Sequence, residues 1–357
     1  MVITTQTGIA MIDNANSITA GFAFVEFAGK DARQFESLFG HMGFSKLGSH
    51  KNRPVDLYRQ KQIYFLLNRE TASFAAEFSS LHGPAACAAG FYVRDPQSVY
   101  KRALEMGAEP FSAADGYFAN PPLAIRGIGG SIIYLIDAAK SGVLFNDDFA
   151  VGASGDDGIG LQTIDHLAYN VERGQLDQWA DFFKTIFGFR EIRYFQIKGK
   201  QTALRSRALL SACGAMRLTI NESADDKSQI AEFIETYNGA GIQHIALNPT
   251  DIYQTVESMK SKGVPFIPVP DSYYRMVDER LPGHNEDLAR MQKNYILLDG
   301  VSENREILLQ IVTPPVIGPM FFEVIQRKGC DGFGEGNFTA LFEALERDQV
   351  ARGVLAA

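Results

Sequence analysis

Residues 95–111 read DPQSVYKRALEMGAEPF, and residues 251–266 read DIYQTVESMKSKGVPF. In both stretches an aspartate stands where it can cap a helix, and apolar residues follow at spacings of three and four. A glycine then ends the helix before the chain turns back as an extended segment. Each stretch therefore predicts a strand, a helix, a glycine cap and a second strand.

The repeat extends upstream of these two stretches. FAFVEF at 22–27 followed by FESLFGHMGF at 35–44 parallels HLAYNV at 166–171 followed by WADFFKTIFGF at 179–189. Within each half the pattern of strand, helix and further strands occurs twice. The sequence therefore predicts an internal duplication with four related modules.

The boundary between the two halves is predicted from composition. Residues 146–160 are polar and glycine-rich without periodicity, as is typical of a surface linker. We place an N-terminal domain at 1–150, a linker at 151–160 and a C-terminal catalytic domain at 161–357.

Overall composition favours a small-molecule partner. The 357 residues are 46% hydrophobic, enough for two domains, and the net charge of −8 with no basic cluster argues against nucleic acid or an anionic membrane. No apolar run reaches the roughly 18 residues of a membrane span, and residues 1–18 lack a basic start followed by an apolar stretch. We therefore expect a cytoplasmic protein. The three separated cysteines, Cys87, Cys213 and Cys330, argue against a disulfide framework.

A carboxylate in an apolar strand is the first sign of a metal site. Glu323 lies within FFEVI at 321–325, where an unpaired charge is costly and a cation is needed. His166 and His244 occupy apolar strand-like runs at equivalent repeat positions. Two imidazoles and one carboxylate suit non-haem Fe(II) with open positions, with Zn(II), Mn(II) and Ni(II) as alternatives.

The N-terminal half lacks this set. Its expected counterparts are Phe22 or Gly21 for His166, and Ala88 for His244, none of which binds a metal. We predict that this half is a scaffold. The remaining histidines stand in helix-end or loop contexts and are expected to be exposed or locally hydrogen-bonded: His41, His50, His82 and His284.

Neutral amides accompany the candidate ligands. Gln243 precedes His244, Gln310 lies inside an apolar run, and Asn221 follows Leu218-Thr219-Ile220. They either hydrogen-bond across strands or orient a ligand that carries a phenol and a carboxylate. Strand alternation places Gln243 and His244 on opposite faces, so Gln243 is expected to orient the site from outside the ligand set.

The glycine-rich segment, residues 332–338 (GFGEGNF), is predicted to be a lid. It is a poor phosphate loop because no lysine follows its last glycine and a charged helix at 339–352 comes next. Glycines supply hinges, while Phe333 and Phe338 supply an apolar closing surface. The alternative is a C-terminal helix that only packs.

Five motifs carry a family resemblance: VIQRKGCDGFGEGNF at 324–338, GAGIQHIA at 239–246, Asp165-His166, Asn170-Val171, and Tyr273-Tyr274 ahead of Arg280-Leu281-Pro282. Over nearly its whole length the chain resembles the 4-hydroxyphenylpyruvate dioxygenases of the vicinal-oxygen-chelate superfamily. The resemblance implies an α+β fold of two related domains, each an open barrel of paired βαβββ modules, with a C-terminal lid helix. It also implies conversion of 4-hydroxyphenylpyruvate and O2 to homogentisate and CO2 in tyrosine breakdown.

The resemblance further implies Fe(II) as cofactor and a homo-oligomer, a tetramer or a dimer. It assigns the metal ligands to His166, His244 and Glu323. It assigns catalytic roles to Gln243, Gln310 and Asn337. It assigns substrate contacts to Ser206, Asn221, Gln229, Phe321, Phe333 and Phe338.

Two positions depart from the pattern of many family members, Thr219 and Val312. They leave open the related 4-hydroxymandelate synthase reaction, which oxidises the benzylic carbon of the same substrate. Asn337 and the aromatic lid favour ring hydroxylation. A non-catalytic protein that binds an aromatic ligand is a second alternative, and the intact ligand set argues against it.

Overall fold

The computed structural model describes residues 17–337 apart from 30, 114–115, 153–157, 199–202, 226–227 and 302–305, and it also describes Ala340. The strands of these residues form two sheets, of nine and eight strands. Phe338 and nearly all of the predicted C-terminal helix lie outside the described residues.

The first sheet has the order β6-β7-β8-β5-β1-β4-β3-β2-β9. Its strands are β1 (Thr19–Ala28), β2 (Ser45–His50), β3 (Val55–Gln60), β4 (Ile63–Asn68), β5 (Ala85–Val93), β6 (Pro110–Phe111), β7 (Leu123–Arg126), β8 (Ile132–Asp137) and β9 (Phe149–Val151). Its helices are α1 (Ala32–His41), α2 (Phe74–His82) and α3 (Pro96–Glu105), with 3-10 turns at Ile128–Gly130 and Ala138–Lys140.

The second sheet has the order β11-β12-β13-β10-β14-β17-β16-β15. Its strands are β10 (Leu161–Val171), β11 (Arg190–Lys198), β12 (Ala203–Leu210), β13 (Arg217–Ser223), β14 (Gly241–Pro249), β15 (Leu297–Val301), β16 (Glu306–Val312) and β17 (Phe321–Lys328). Its helices are α4 (Leu176–Phe187), α5 (Gln229–Tyr237), α6 (Ile252–Ser261), α7 (Asp271–Arg275), α8 (Val277–Arg280) and α9 (Leu288–Asn294).

Four βαβββ modules build these sheets, as the duplication predicted. They begin with β1, β5, β10 and β14, and the first strands of paired modules run antiparallel at the sheet centre. The predicted α+β fold is confirmed. The last strand of the first sheet ends at Val151 and the first strand of the second sheet begins at Leu161; the domain boundary at 151–160 stays a prediction.

The helices at the repeated stretches begin as predicted. Asp95 accepts a hydrogen bond from the backbone N–H of Ser98, and Asp251 accepts one from that of Gln254.

Among the described residues, no helix combines the length and apolar character that crossing a bilayer requires.

The strand predicted after Gly263 is wrong. Residues 264–270 form no strand, and three short helices, α7 to α9, precede β15. Residues 264–270 include Pro265, Pro268 and Pro270, which have no backbone N–H to donate to a sheet. The fourth module therefore has a longer connection than the second, where β6 follows α3.

Equivalent strands pair in the same register in the two sheets, and this register shows that the predicted N-terminal counterpart of His166 is wrong. In the second sheet His166 pairs with Ala246, which pairs with Glu323. In the first sheet the matching row is Phe24, Gly90 and Tyr134. Phe24, and neither Phe22 nor Gly21, thus corresponds to His166.

Aromatic side chains occupy the matching positions of the N-terminal sheet. The rings of Phe24 and Tyr134 have centroids 5.7 Å apart. Ala88 pairs with Glu26 as His244 pairs with Ala168, so Ala88 matches His244 as predicted. The three matching positions, Phe24, Ala88 and Tyr134, therefore carry no imidazole or carboxylate.

His82 joins the two halves of the chain, contrary to the prediction of exposure or a local bond. It is 7% exposed, and its Nδ1 lies 2.8 Å from the carbonyl oxygen of Tyr237. Its ring also stacks on that of Tyr237, with centroids 4.6 Å apart. The contact fixes α2 against α5.

Candidate metal centre

Three neighbouring central strands bring His166, His244 and Glu323 together. His166 lies on β10, His244 on β14 and Glu323 on β17, and all three side chains are buried or nearly so. Ala246 stands between His166 and Glu323 in the register, and Ala168 faces His244. These small side chains leave room for the three larger ones to converge.

The ligand atoms of the three residues form a tight triangle. His166 Nε2 lies 3.2 Å from His244 Nε2, and Glu323 Oε2 lies 3.4 Å and 3.3 Å from these two nitrogens. Ligands about 2.1 Å from one metal at right angles lie about 3 Å apart. The triangle therefore fits one face of an octahedral divalent ion. No other group of three such ligands occurs in the part of the chain that the structure describes.

Both imidazoles are oriented through their Nδ1 atoms. His166 Nδ1 lies 2.8 Å from Asp165 Oδ1, and His244 Nδ1 lies 3.0 Å from Gln243 Oε1. Because a carboxylate only accepts, Nδ1 of His166 carries hydrogen and its Nε2 is available as a ligand. Such partners fix the ring and raise its basicity toward a metal. Two facing Nε2 atoms beside a carboxylate are a site for a cation.

The pKa shifts of Glu323 and His166 favour a positive charge at the centre, whereas the pKa shift of His244 does not. Burial opposes ionisation of Glu323, but hydrogen bonds to the two histidines outweigh it and lower the pKa of the carboxyl to about 2. Burial disfavours the charged form of His166, yet its bonds to Asp165 and Glu323 raise its pKa. Burial and the charge on His166 lower the pKa of His244. In the metal-free centre the charged form of His166 is therefore favoured over that of His244.

We expect Glu323 to make the metal-free protein sensitive to acid. A depressed folded-state pKa contributes stability above the unfolded value of 4.5, and this contribution is lost as pH falls toward about 2. The shift corresponds to at most about 3 kcal/mol. Urea unfolding measures the unfolding free energies of wild type and Glu323→Gln across this pH range. The difference between the two free energies should change below about pH 4.5, because only wild type loses this contribution. A constant difference across that range contradicts the expectation.

Arg327 supports the centre and was missed by the sequence reasoning. Its Nε and Nη2 donate to the two carboxylate oxygens of Asp165 at 2.8 and 2.9 Å. Burial alone raises the pKa of Asp165, but Arg327 and His166 together hold that pKa far below its usual range. Strand alternation places Arg327 on the same face of β17 as Glu323, and this signal could have identified it.

A second group of polar side chains lies along β10, β12 and β13. Ser206 Oγ donates to Asn221 Oδ1 at 2.7 Å, and Asn221 Nδ2 donates to Asn170 Oδ1 at 3.3 Å. Asn170 Nδ2 is buried with no hydrogen-bond partner in the structure. Asn170 stands four residues beyond His166, about 13 Å along the strand. The hydrogen-bonded chain from Ser206 through Asn221 to Asn170 thus ends in a free donor, Asn170 Nδ2.

Two more buried amides have unpartnered atoms, Gln310 Oε1 and Asn337 Nδ2. Asn337 is held by its oxygen, which accepts from the Tyr273 hydroxyl at 2.6 Å and from Arg280 Nη2 at 3.3 Å. Tyr273 in turn accepts from Arg280 at 2.8 Å. These contacts leave the Asn337 amide nitrogen free to donate to a ligand.

Aromatic rings flank the two imidazoles. Phe321 stacks on His244 with centroids 4.6 Å apart, and Phe333 meets the His166 ring edge to face at 5.1 Å. Gln229 is exposed at the first position of α5, so the structure does not bring it into the buried cluster. Phe338 lies outside the described residues. The roles of Gln229 and Phe338 stay predictions.

Comparison with known proteins gives matches over both halves. Residues 13–150 match the family described as "Hydroxyphenylpyruvate dioxygenase, HPPD, N-terminal", and residues 163–276 match the "Glyoxalase/Bleomycin resistance protein/Dioxygenase superfamily". Hemolysin VllY of Vibrio vulnificus is 48% identical over 97% of this chain and 99% of its own length. The 4-hydroxyphenylpyruvate dioxygenase of Legionella pneumophila (strain Corby) is 48% identical over 94% and 96%.

A solved structure shares the fold. It is a mutant form of 4-hydroxymandelate synthase from Streptomyces coelicolor, with a TM-score of 0.78 and 26% identity. The similarity covers 93% of this chain and 99% of that one, so both halves of the fold are shared.

Proposed function

The chain belongs to the 4-hydroxyphenylpyruvate dioxygenase family and is a dioxygenase, and from this premise we propose that it converts 4-hydroxyphenylpyruvate and O2 to homogentisate and CO2 at an Fe(II) centre held by His166, His244 and Glu323. The observation that carries the proposal is the convergence of three ligand atoms within 3.2 to 3.4 Å of one another. The reaction is a step of tyrosine and phenylalanine catabolism.

Charge supports a 2-oxo acid as the substrate. Two neutral imidazoles and one carboxylate leave a divalent ion with one net positive charge, which a mono-anionic 2-oxo acid neutralises in a buried site. Fe(II), when bound, supplies the redox chemistry of dioxygen and a cation for the oxo acid. The chain's own task is then to bind, orient and exclude water.

Neutral amides suit the remainder of the substrate. We propose that Gln310 and Asn337 contact it through their unpartnered oxygen and nitrogen atoms. Asn170 offers a donor at the end of the Ser206–Asn221 chain, where a phenolic oxygen can accept. Gln243 contacts His244 and therefore acts as a positioning residue.

Aromatic residues close the site from two sides. We propose that Phe321 and Phe333, which pack on the two imidazoles, also line the substrate ring. They add apolar surface without charge, which keeps water away from the metal ligands. The glycine-rich segment that carries Phe333 serves as the lid.

A second product, 4-hydroxymandelate, stays a candidate on one observation. Val312 pairs directly with Glu323 in the strand register, and Thr219 pairs with Ala168, which stands between His166 and Asn170 on β10. Both positions therefore adjoin the proposed substrate. They are the two places where the sequence departs from many family members.

Product analysis tests the proposed function. The protein is loaded anaerobically with Fe(II), mixed with 4-hydroxyphenylpyruvate, and exposed to oxygen. We expect homogentisate and CO2 in equal amounts with the oxygen consumed. 4-Hydroxymandelate as the main product would assign the second reaction, and an iron-loaded protein that consumes no oxygen would be a binding protein only.

We propose a cytoplasmic homo-oligomer, a dimer or a tetramer. The three cysteines are free, two of them buried, as is usual in a reducing compartment. The oligomer rests on the family resemblance, and sedimentation equilibrium measures it.

A further inference from the structure

Arg327 makes contacts in two directions from the end of β17. Its side chain is 11% exposed. Toward the metal centre, its Nε and Nη2 clasp the Asp165 carboxylate. Toward the glycine-rich segment, its Nη1 donates to the Cys330 carbonyl at 3.1 Å and to the Gly332 carbonyl. One guanidinium thus joins the partner of a metal ligand to the backbone that leads into the lid.

Aromatic packing closes these contacts into a ring. The Arg327 guanidinium lies 5.2 Å from the centroid of Phe333, and the Phe333 ring meets the His166 ring at 5.1 Å. His166 bonds to Asp165, which bonds back to Arg327. A displacement of any one of these four side chains therefore strains its neighbours.

Only an arginine can fill this position. Its planar fork presents parallel donors to a carboxylate while Nη1 still reaches two carbonyls, and its flat face stacks on a ring. A lysine keeps the charge but supplies one point of donation, so it cannot hold Asp165 and the segment together. The substitution Arg327→Lys thus separates charge from geometry.

We propose that Arg327 is a positioning residue that couples occupancy of the metal centre to the position of the glycine-rich segment. A metal that fixes His166 also fixes Asp165, Arg327 and the Cys330 and Gly332 carbonyls that Arg327 holds. By thermodynamic reciprocity, a well-placed segment strengthens metal binding by the same factor. The inference rests on the metal site of the proposed function and is independent of which product forms.

Hydrogen exchange in the absence of substrate tests the coupling. Backbone amides of residues 330–337 are followed in metal-free protein and in protein saturated with Co(II), and Co(II) affinity is read from its d–d absorption. In wild type we expect metal to slow exchange about tenfold, within the usual range for linked sites. In Arg327→Lys we expect this protection to vanish and Co(II) affinity to fall about 10- to 100-fold.

Arg290→Lys is the matched control. Arg290 of α9 clasps Glu257 of α6 with two bonds of 2.9 Å in the same domain, and neither residue belongs to the ring of four side chains, so its loss should leave both readouts unchanged. Metal-dependent protection that survives in Arg327→Lys overturns the proposal. So does a wild-type protein that binds Co(II) without protecting the segment, which keeps the test decisive even when the variant fails to fold. Wild type that binds no metal would instead refute the proposed function.

Discussion

Replacing Glu323 with alanine is expected to lower turnover by about a thousand-fold or more, which corresponds to about 4 kcal/mol of lost stabilisation. Glu323 supplies the only anionic ligand among the three residues of the centre. Without it the metal carries two net positive charges in a buried site, and two imidazoles alone hold it weakly. Oxygen uptake with saturating Fe(II) and metal content after dialysis should both fall.

Glu26→Gln is the matched control for loss of a buried carboxyl. Glu26 is 2% exposed, and it bonds to Asn68 and Tyr117 in the N-terminal sheet. Its removal should leave turnover and metal content near wild type, whatever it does to stability. Normal turnover in Glu323→Ala would mean that the ligand assignment is wrong.

Replacing Gly334 with alanine is expected to lower kcat/KM about 100-fold, whereas metal affinity, which is coupled to the segment through Arg327, should fall by no more than about tenfold. Gly334 has φ +77°, and a Cβ there would lie 1.9 Å from Gln310 Oε1. A left-handed backbone disfavours alanine, and the overlap forces either the segment or Gln310 to move. Because Gln310 is proposed to contact the substrate, a displacement of about 1 Å is costly for the reaction.

Steady-state kinetics measure kcat/KM, and Co(II) titration measures metal affinity. Gly142→Ala is the control, since a Cβ at Gly142 meets no atom within 4 Å. Unfolding midpoints of both variants separate a local effect from a loss of fold. Wild-type kcat/KM in Gly334→Ala would show that neither the segment's position nor that of Gln310 matters to the reaction.

The repeat made the architecture predictable, because helix caps and glycine positions are local signals. Asp95 and Asp251 cap their helices as their sequence context indicates. The counterpart of His166 was misplaced by two or three residues because the apolar run that begins at Phe22 was aligned with the run that begins at His166, whereas the strand register matches Phe24 to His166. An apolar run alone carries no local signal that fixes its register, whereas the glycine near Ala88 placed that residue correctly.

The three candidate ligands could be picked out from residue type and repeat position, whereas the side chains that support them depend on tertiary contacts. Arg327 and Asp165 are 162 residues apart in sequence, and no local pattern pairs them. The amide orientation of Asn337 likewise depends on Tyr273, 64 residues away. Gln229, to which the resemblance assigned a substrate contact, is exposed at the start of α5, and its role stays a prediction.

Anomalous diffraction at the iron edge tests the central claim most directly. Crystals grown anaerobically with Fe(II) are expected to show one iron per chain, about 2.2 Å from His166 Nε2, His244 Nε2 and a Glu323 oxygen. An active protein whose iron lies elsewhere, or contacts fewer than these three residues, would contradict the account.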